Sequence, residues 1–248
     1  MDPIDTLETI AQEVRVCQKC NLHSTRKLSV PGEGPANAEI MFIGEGPGHN
    51  ENEQGRPFVG AAGKFLEELL GKAGLKRKDV FICNVVKCRP PNNRDPEPQE
   101  IMACGMYLDR QIQAINPKVI VTLGRFSMAR YFPNARISQI HGRANRMDGR
   151  LVVPMYHPAA ALHQPLLRPD LEKDFAGLAN LLHPSAVMES KPEPAGGPNL
   201  PVRSFLEVSE PYINNPVAQP GFLDQIPEQP EPEIDQTEQN DPKQMSLF

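Results

Sequence analysis

The sequence predicts an α/β fold over residues 1–183, followed by a tail too polar to build a core of its own. Three observations carry this. Four apolar runs of strand length recur along the chain, at Glu39–Gly44, Val80–Cys88, Pro117–Gly124 and Leu151–Tyr156. The stretches between them are long enough for helical crossovers, which implies a largely parallel sheet covered on both faces. The composition then changes: twelve of the 27 prolines, eleven acidic residues and only three basic ones fall in 184–248, where no apolar period is sustained. That segment is expected to be disordered. The formal charge of −5 divides into +3 for residues 1–183 and −8 for the tail. A mildly basic folded part permits a nucleic-acid partner without requiring one.

Taken in order, Ile4, Leu7, Ile10, Ala11 and Val14 recur at helical spacing and predict an amphipathic N-terminal helix, with Cys17-Gln-Lys-Cys20 just behind it. The first strand runs into Gly44-Glu45-Gly46-Pro47-Gly48, and a second glycine-rich segment, Gly55–Gly63, leads into a helix over Lys64–Ala73. Ligands of open α/β sheets bind at the C-terminal strand ends, where glycines let backbone N–H groups approach them. Phe58 is informative because a structural turn has no need of a large ring, whereas a flat, polar-edged ligand such as a base does. The second run is followed by Asn84–Arg94, and Pro96 and Pro98 open a helical stretch that carries Cys104. The third strand ends at Gly124 before a short helix, Arg125–Phe132. The fourth contains Pro154, which argues for a sheet edge, and runs straight into His157-Pro158-Ala159-Ala160-Ala161-Leu162. Asp170–His183 closes the domain as an amphipathic helix. With parallel strands, the loops Gly44–Gly48, Asn84–Arg94 and His157–Leu162 converge on one edge.

Of the five cysteines, Cys83 lies within a strand and reads as a small core residue. Cys17, Cys20, Cys88 and Cys104 remain, enough for one closed site. Four thiolates suit zinc or an iron–sulfur cluster, and spacing alone does not separate the two. No leader-like opening and no run of about 18 apolar residues is present, so a cytoplasmic, nucleoid-associated protein without a membrane partner is expected, and a monomer.

Gly44-Glu-Gly-Pro-Gly48 with Gly55-Arg-Pro-Phe-Val-Gly-Ala-Ala-Gly63, Asn84-Val-Val-Lys-Cys-Arg-Pro-Pro91 with Asn93-Arg94, and His157-Pro-Ala-Ala160 together resemble the three signatures of the family 4 uracil-DNA glycosylases, the iron–sulfur branch of that superfamily. The resemblance spans nearly all of 1–183. It implies a three-layer αβα fold around a parallel four-stranded sheet, a structural [4Fe–4S] cluster on Cys17, Cys20, Cys88 and Cys104, and removal of uracil from single- or double-stranded DNA. By the same resemblance Phe58 stacks on the flipped base and Asn84 reads its edge. His157, with backbone N–H groups around Gly46, meets the charge developing on uracil O2. Glu45 positions water or stabilises the sugar cation, and Glu51 crowds the 5-methyl of thymine. Arg56, Lys87, Arg89 and Arg94 flank the expected pocket mouth as phosphate contacts, and Leu162 and His163 are candidates to fill the gap left by the flipped base. The chain departs from the usual pattern at Gly46, where alanine is frequent, at His49, where an acid is frequent, and at Asn52 in place of Asp.

The tail ends Gln244-Met245-Ser246-Leu247-Phe248, which resembles the bacterial sliding-clamp-binding peptide. A polar linker presenting two apolar plugs suits a hydrophobic groove on a partner. Two other readings stand beside the glycosylase. One is a relative that binds or covalently traps uracil-DNA, although Lys87–Arg94 lacks the histidine such relatives use; the other is a zinc-bound nucleic-acid scaffold without catalysis.

Overall fold

The structure, a computed structural model, describes residues 3–182. The tail 184–248, including the clamp-like peptide at 244–248, lies outside the described residues. Four strands form where the apolar runs predict them: β1 (Ile40–Gly44), β2 (Phe81–Asn84) and β3 (Val119–Leu123), and, after a short strand β4 (Asn145–Met147), β5 (Arg150–Met155). The sheet order is β2-β1-β3-β5-β4. β2, β1, β3 and β5 are parallel, and β4 is antiparallel to β5.

The fifth strand is an addition to the expected parallel four. It is a hairpin turned by Asp148-Gly149, both at positive φ (47° and 77°), a pairing suited to a two-residue loop between twisted strands. β5 is therefore not the sheet edge that Pro154 suggested. The proline still obeys the rule locally: its carbonyl accepts the Gly142 N–H on the side away from β3, beyond the last β4 pairing, so its nitrogen leaves no ladder bond unmade.

The helices are α1 (Pro3–Val16), α2 (His49–Gln54), α3 (Ala61–Lys72), α4 (Pro98–Ile115), α5 (Arg125–Ala129), α6 (Ile137–Ile140), α7 (Pro158–His163), α8 (Arg168–Ala176) and α9 (Leu178–Leu182). The closing helix is thus broken at Gly177 rather than continuous. Side chains of β1 alternate between two cores. Ile40 and Phe42 pack with Phe65, Leu66, Leu69 and Phe175 of α3 and α8, whereas Met41 and Ile43 pack with Ile10, Val14, Tyr107 and Leu108 of α1 and α4. Both faces of the sheet are buried, which is why the strands read as unbroken apolar runs. The parallel order places the C-terminal ends of β1, β2, β3 and β5 along one edge.

Candidate active site

At that edge Asn84, the last residue of β2, lies in register with Gly44, the last of β1. Asn84 is 2% exposed, yet its Oδ1 has no hydrogen-bond partner among the described residues. A buried amide oxygen left unpaired costs about 1–3 kcal/mol, so the arrangement is set up for a ligand donor. A Cβ on Gly44 would stand 2.4 Å from that oxygen and 2.8 Å from the Phe58 ring, so glycine is needed there to keep amide and ring on one pocket. Phe58 itself sits at φ 51°, a conformation uncommon for a bulky residue. Arg77 holds it there by donating to the carbonyls of Pro57 and Phe58 (3.0 Å to the latter), and Gly63 leaves room for the Phe58 carbonyl.

Glu51 organises the same loop. Its Oε1 accepts N–H groups of Val59 (2.8 Å) and Gly60 (2.9 Å) and its Oε2 that of Gly48 (3.1 Å), joining the starts of α2 and α3. Its charge also reaches His157. On Gly46 a Cβ would press on Val86 at 2.9 Å, which suits glycine at this position. The departure at His49 places its Nδ1 3.3 Å from the Arg89 guanidinium, where it accepts.

His157 caps α7. Its Nδ1 accepts the Ala159 N–H at 3.1 Å, which requires a neutral ring with the proton on Nε2. Burial pushes its pKa down to about 4, with Glu51 opposing, so the ring stays neutral near pH 7. Its ring lies 5.5 Å from that of Phe58 at 26°, in direct contact, so no base fits between them. Gly124, at φ 89°, brings its backbone against the imidazole, where a Cβ would stand 3.2 Å from that of His157. Burial and the neighbouring Asp95 push Glu45 up to about 7, with Arg125 opposing. The edge therefore combines an aromatic face, an unpaired acceptor, a neutral N–H donor and a carboxylate that titrates near neutrality.

The four cysteines expected as ligands do come together. Cys17, Cys20, Cys88 and Cys104 line one half-open hollow between α1, the Lys87–Cys88 segment and α4. Three donors already face the sulfurs: Lys19 N–H on Cys17 (3.5 Å), the Arg26 guanidinium on Cys88 (3.3 Å) and Lys87 N–H on Cys104 (3.2 Å). Burial pushes the Cys104 thiol up to about 12 and raises Cys20 and Cys88 as well. Among the described residues no three His, Cys, Asp or Glu side chains converge as a single ion requires.

Residues 31–183 match the family model of the uracil DNA glycosylase superfamily. The chain is 53% identical over 182 residues to the type-4 uracil-DNA glycosylase of Saccharolobus solfataricus, covering 69% of this chain and 84% of that protein. It is 52% identical over 188 residues to that of Sulfurisphaera tokodaii (72% and 86%) and 48% over 188 residues to that of Archaeoglobus fulgidus (72% and 94%). The chain is a type-4 member of the uracil-DNA glycosylase superfamily.

For this type-4 protein the residues expected at the DNA are placed unequally. Lys87 corrects the sequence reading: it is 1% exposed, and a buried ammonium cannot touch phosphate. Arg56 is bonded twice to Glu33 at 2.8 Å, and Arg94 twice to Glu100 at 2.9 and 2.7 Å, so both brace the site's rim. Arg89 bonds Asn93 and His49 at the mouth. Leu162 is 46% exposed and His163 is exposed, but Leu166, just beyond α7, is 92% exposed and was missed. Arg77 was missed too, because its partners are carbonyls about twenty residues earlier in the chain.

Proposed function

We infer that the chain is a uracil-DNA glycosylase that removes uracil flipped out of DNA and leaves an abasic site. The observation that carries this is the buried, unpartnered Oδ1 of Asn84 beside the Phe58 ring at the sheet's C-terminal edge. Uracil must leave the stack before its glycosidic bond is accessible, and Phe58 offers it a new face. Asn84 then accepts from N3–H through Oδ1 and donates to O4 through its amide nitrogen. Cytosine presents the reverse pattern to an amide in this orientation.

As the N1–C1′ bond breaks, its electron pair leaves with uracil and the sugar becomes oxocarbenium-like. Charge grows on uracil O2, where the neutral His157 donates from Nε2–H together with backbone N–H around Gly46; donors fixed in advance cost nothing to reorganise. Ionised Glu45 faces the cation, and water adds to C1′ with loss of its proton. Glu51, besides ordering the loop, is proposed to crowd a 5-methyl group and so exclude thymine.

Cys17, Cys20, Cys88 and Cys104 fit a structural [4Fe–4S] cluster. The shared hollow and the N–H donors on sulfur support this reading. When bound, such a cluster cross-links α1, the Lys87–Cys88 segment and α4 and takes no part in bond cleavage; iron and acid-labile sulfide with visible absorbance identify it. Arg89, Arg56, Arg94, His163 and Leu162 are the proposed DNA contacts. Residues Gln244–Phe248 are proposed to bind a bacterial sliding clamp, a reading that unchanged clamp affinity after their deletion would sink. Among the described residues no helix is long and apolar enough to cross a membrane, and nucleoid association follows from the DNA substrate. The decisive experiment is single-turnover uracil release by wild type, Asn84→Ala and His157→Ala. Release by wild type and its loss by about two orders of magnitude or more in both variants is expected. Absence of release by cluster-loaded wild type leaves a binder or trap instead.

A further inference from the structure

Lys87 has the chemistry of a site residue and the burial of a core residue. Its ammonium donates to the Asn84 carbonyl (2.8 Å) and to Gln111 Oε1 (2.7 Å), both neutral oxygens. Gln111 is itself anchored through its amide nitrogen on the Pro31 carbonyl at 2.7 Å. The Lys87 main chain is equally committed, N–H to Cys104 Sγ (3.2 Å) and carbonyl to the Val30 N–H (2.7 Å). Between Asn84 and Lys87, Val85 and Val86 are fully buried, so the segment has no slack.

No carboxylate pairs with this ammonium among the described residues, and a buried charge without a counter-charge costs several kcal/mol. The groups its charge does act on are sulfurs, Cys104 and Cys83. Four ligating thiolates would supply the missing negative charge. One side chain thus spans the cysteine site and the main chain of the base-reading residue.

We propose that Lys87 is a positioning residue for uracil recognition, coupling the negative charge of the filled four-thiolate site to the main chain of Asn84. With the site empty, the ammonium loses its counter-charge, draws water or swings away, and the Asn84 amide loses its fixed pose. The proposal rests on reading the cysteines as cluster ligands and Asn84 as the base reader.

The test is equilibrium binding, without turnover, of two otherwise identical oligonucleotides, one with 2′-fluoro-2′-deoxyuridine and one with 2′-fluorothymidine, since the fluorine disfavours the sugar cation. Cluster-loaded wild type is expected to prefer the uracil oligonucleotide. In cluster-free wild type and in cluster-loaded Lys87→Met that preference falls at least tenfold while affinity for the thymine oligonucleotide holds. Gln111→Leu, which keeps the cation but frees its tether, covers the case in which Lys87→Met takes up no cluster; it is expected to lose preference severalfold with its visible absorbance intact. Preference kept in cluster-loaded Lys87→Met, or in Gln111→Leu, overturns the coupling. Absence of preference in cluster-loaded wild type overturns the glycosylase reading instead, so the two failures are distinguishable.

Discussion

Glu45→Gln separates the function of this carboxyl from its burden on the fold. Burial beside Asp95 lifts it from the ordinary 4.5 to about 7. Each pKa unit is worth about 1.4 kcal/mol, so the ionised carboxylate costs the folded state about 3 kcal/mol, and about 2 once its partial exposure is allowed for. The direction follows from proton counting. A carboxyl with a raised folded pKa binds more protons folded than unfolded between about pH 4.5 and 7, so stability falls as pH rises through that window. His157, depressed from 6.5 to about 4, acts oppositely, its contribution being present above pH 6.5 and lost as pH falls toward 4; it is shared by both proteins and cancels in their difference. Urea unfolding should therefore find Glu45→Gln about 2 kcal/mol more stable than wild type at about pH 8 and the gap closed at about pH 4.5. Single-turnover uracil release by wild type should rise through about pH 7 as Glu45 ionises, whereas the variant should be slower by about 10²-fold and flat across that range. A stability gap that does not change with pH, or a rate midpoint that survives in the variant, refutes the assignment.

Gly44→Ala puts a methyl group 2.4 Å from Asn84 Oδ1 and 2.8 Å from Phe58, so uracil release should fall below detection while the cluster absorbance and binding of undamaged DNA persist. Glu51→Gln leaves too few acceptors for the three N–H groups of Gly48, Val59 and Gly60; a loss of about 1–2 kcal/mol in urea unfolding is expected, together with slower uracil release as the Phe58 loop loosens. Cys104→Ser should abolish visible absorbance and lower the thermal midpoint by roughly 10 °C, since structural metal binding is also folding free energy and each kcal/mol is worth about 2–4 °C at this size.

What the sequence disclosed and what it concealed divide along a physical line. Features written in side-chain pattern were legible: the four buried parallel strands from their apolar runs, and the gathering of Gly44, Asn84 and His157 from the parallel connection alone. β4 was not, because a three-residue polar strand has no apolar period and only Asp148-Gly149 marks its turn. Nor was the break at Gly177, which interrupts an otherwise continuous amphipathic pattern. In the site, what stayed hidden is the pairing of charges with oxygens remote in sequence. Glu33, bonded to Arg56, lies 23 residues from it, and the Pro57 and Phe58 carbonyls bonded by Arg77 lie 20 and 19 residues from it, so neither pairing is visible in local pattern. Lys87 is the instructive case. In the Asn84–Arg94 segment at the site's edge, lysine reads as a phosphate contact, and only its enclosure between Asn84, Gln111 and Cys104 reveals a charge turned inward. A buried cation with neutral partners is unstable on its own terms, so its persistence in the core implies an anion beside it. On the proposed coupling, that anion is the filled cysteine site. The four cysteines would then bear on uracil recognition through the short Asn84–Cys88 segment.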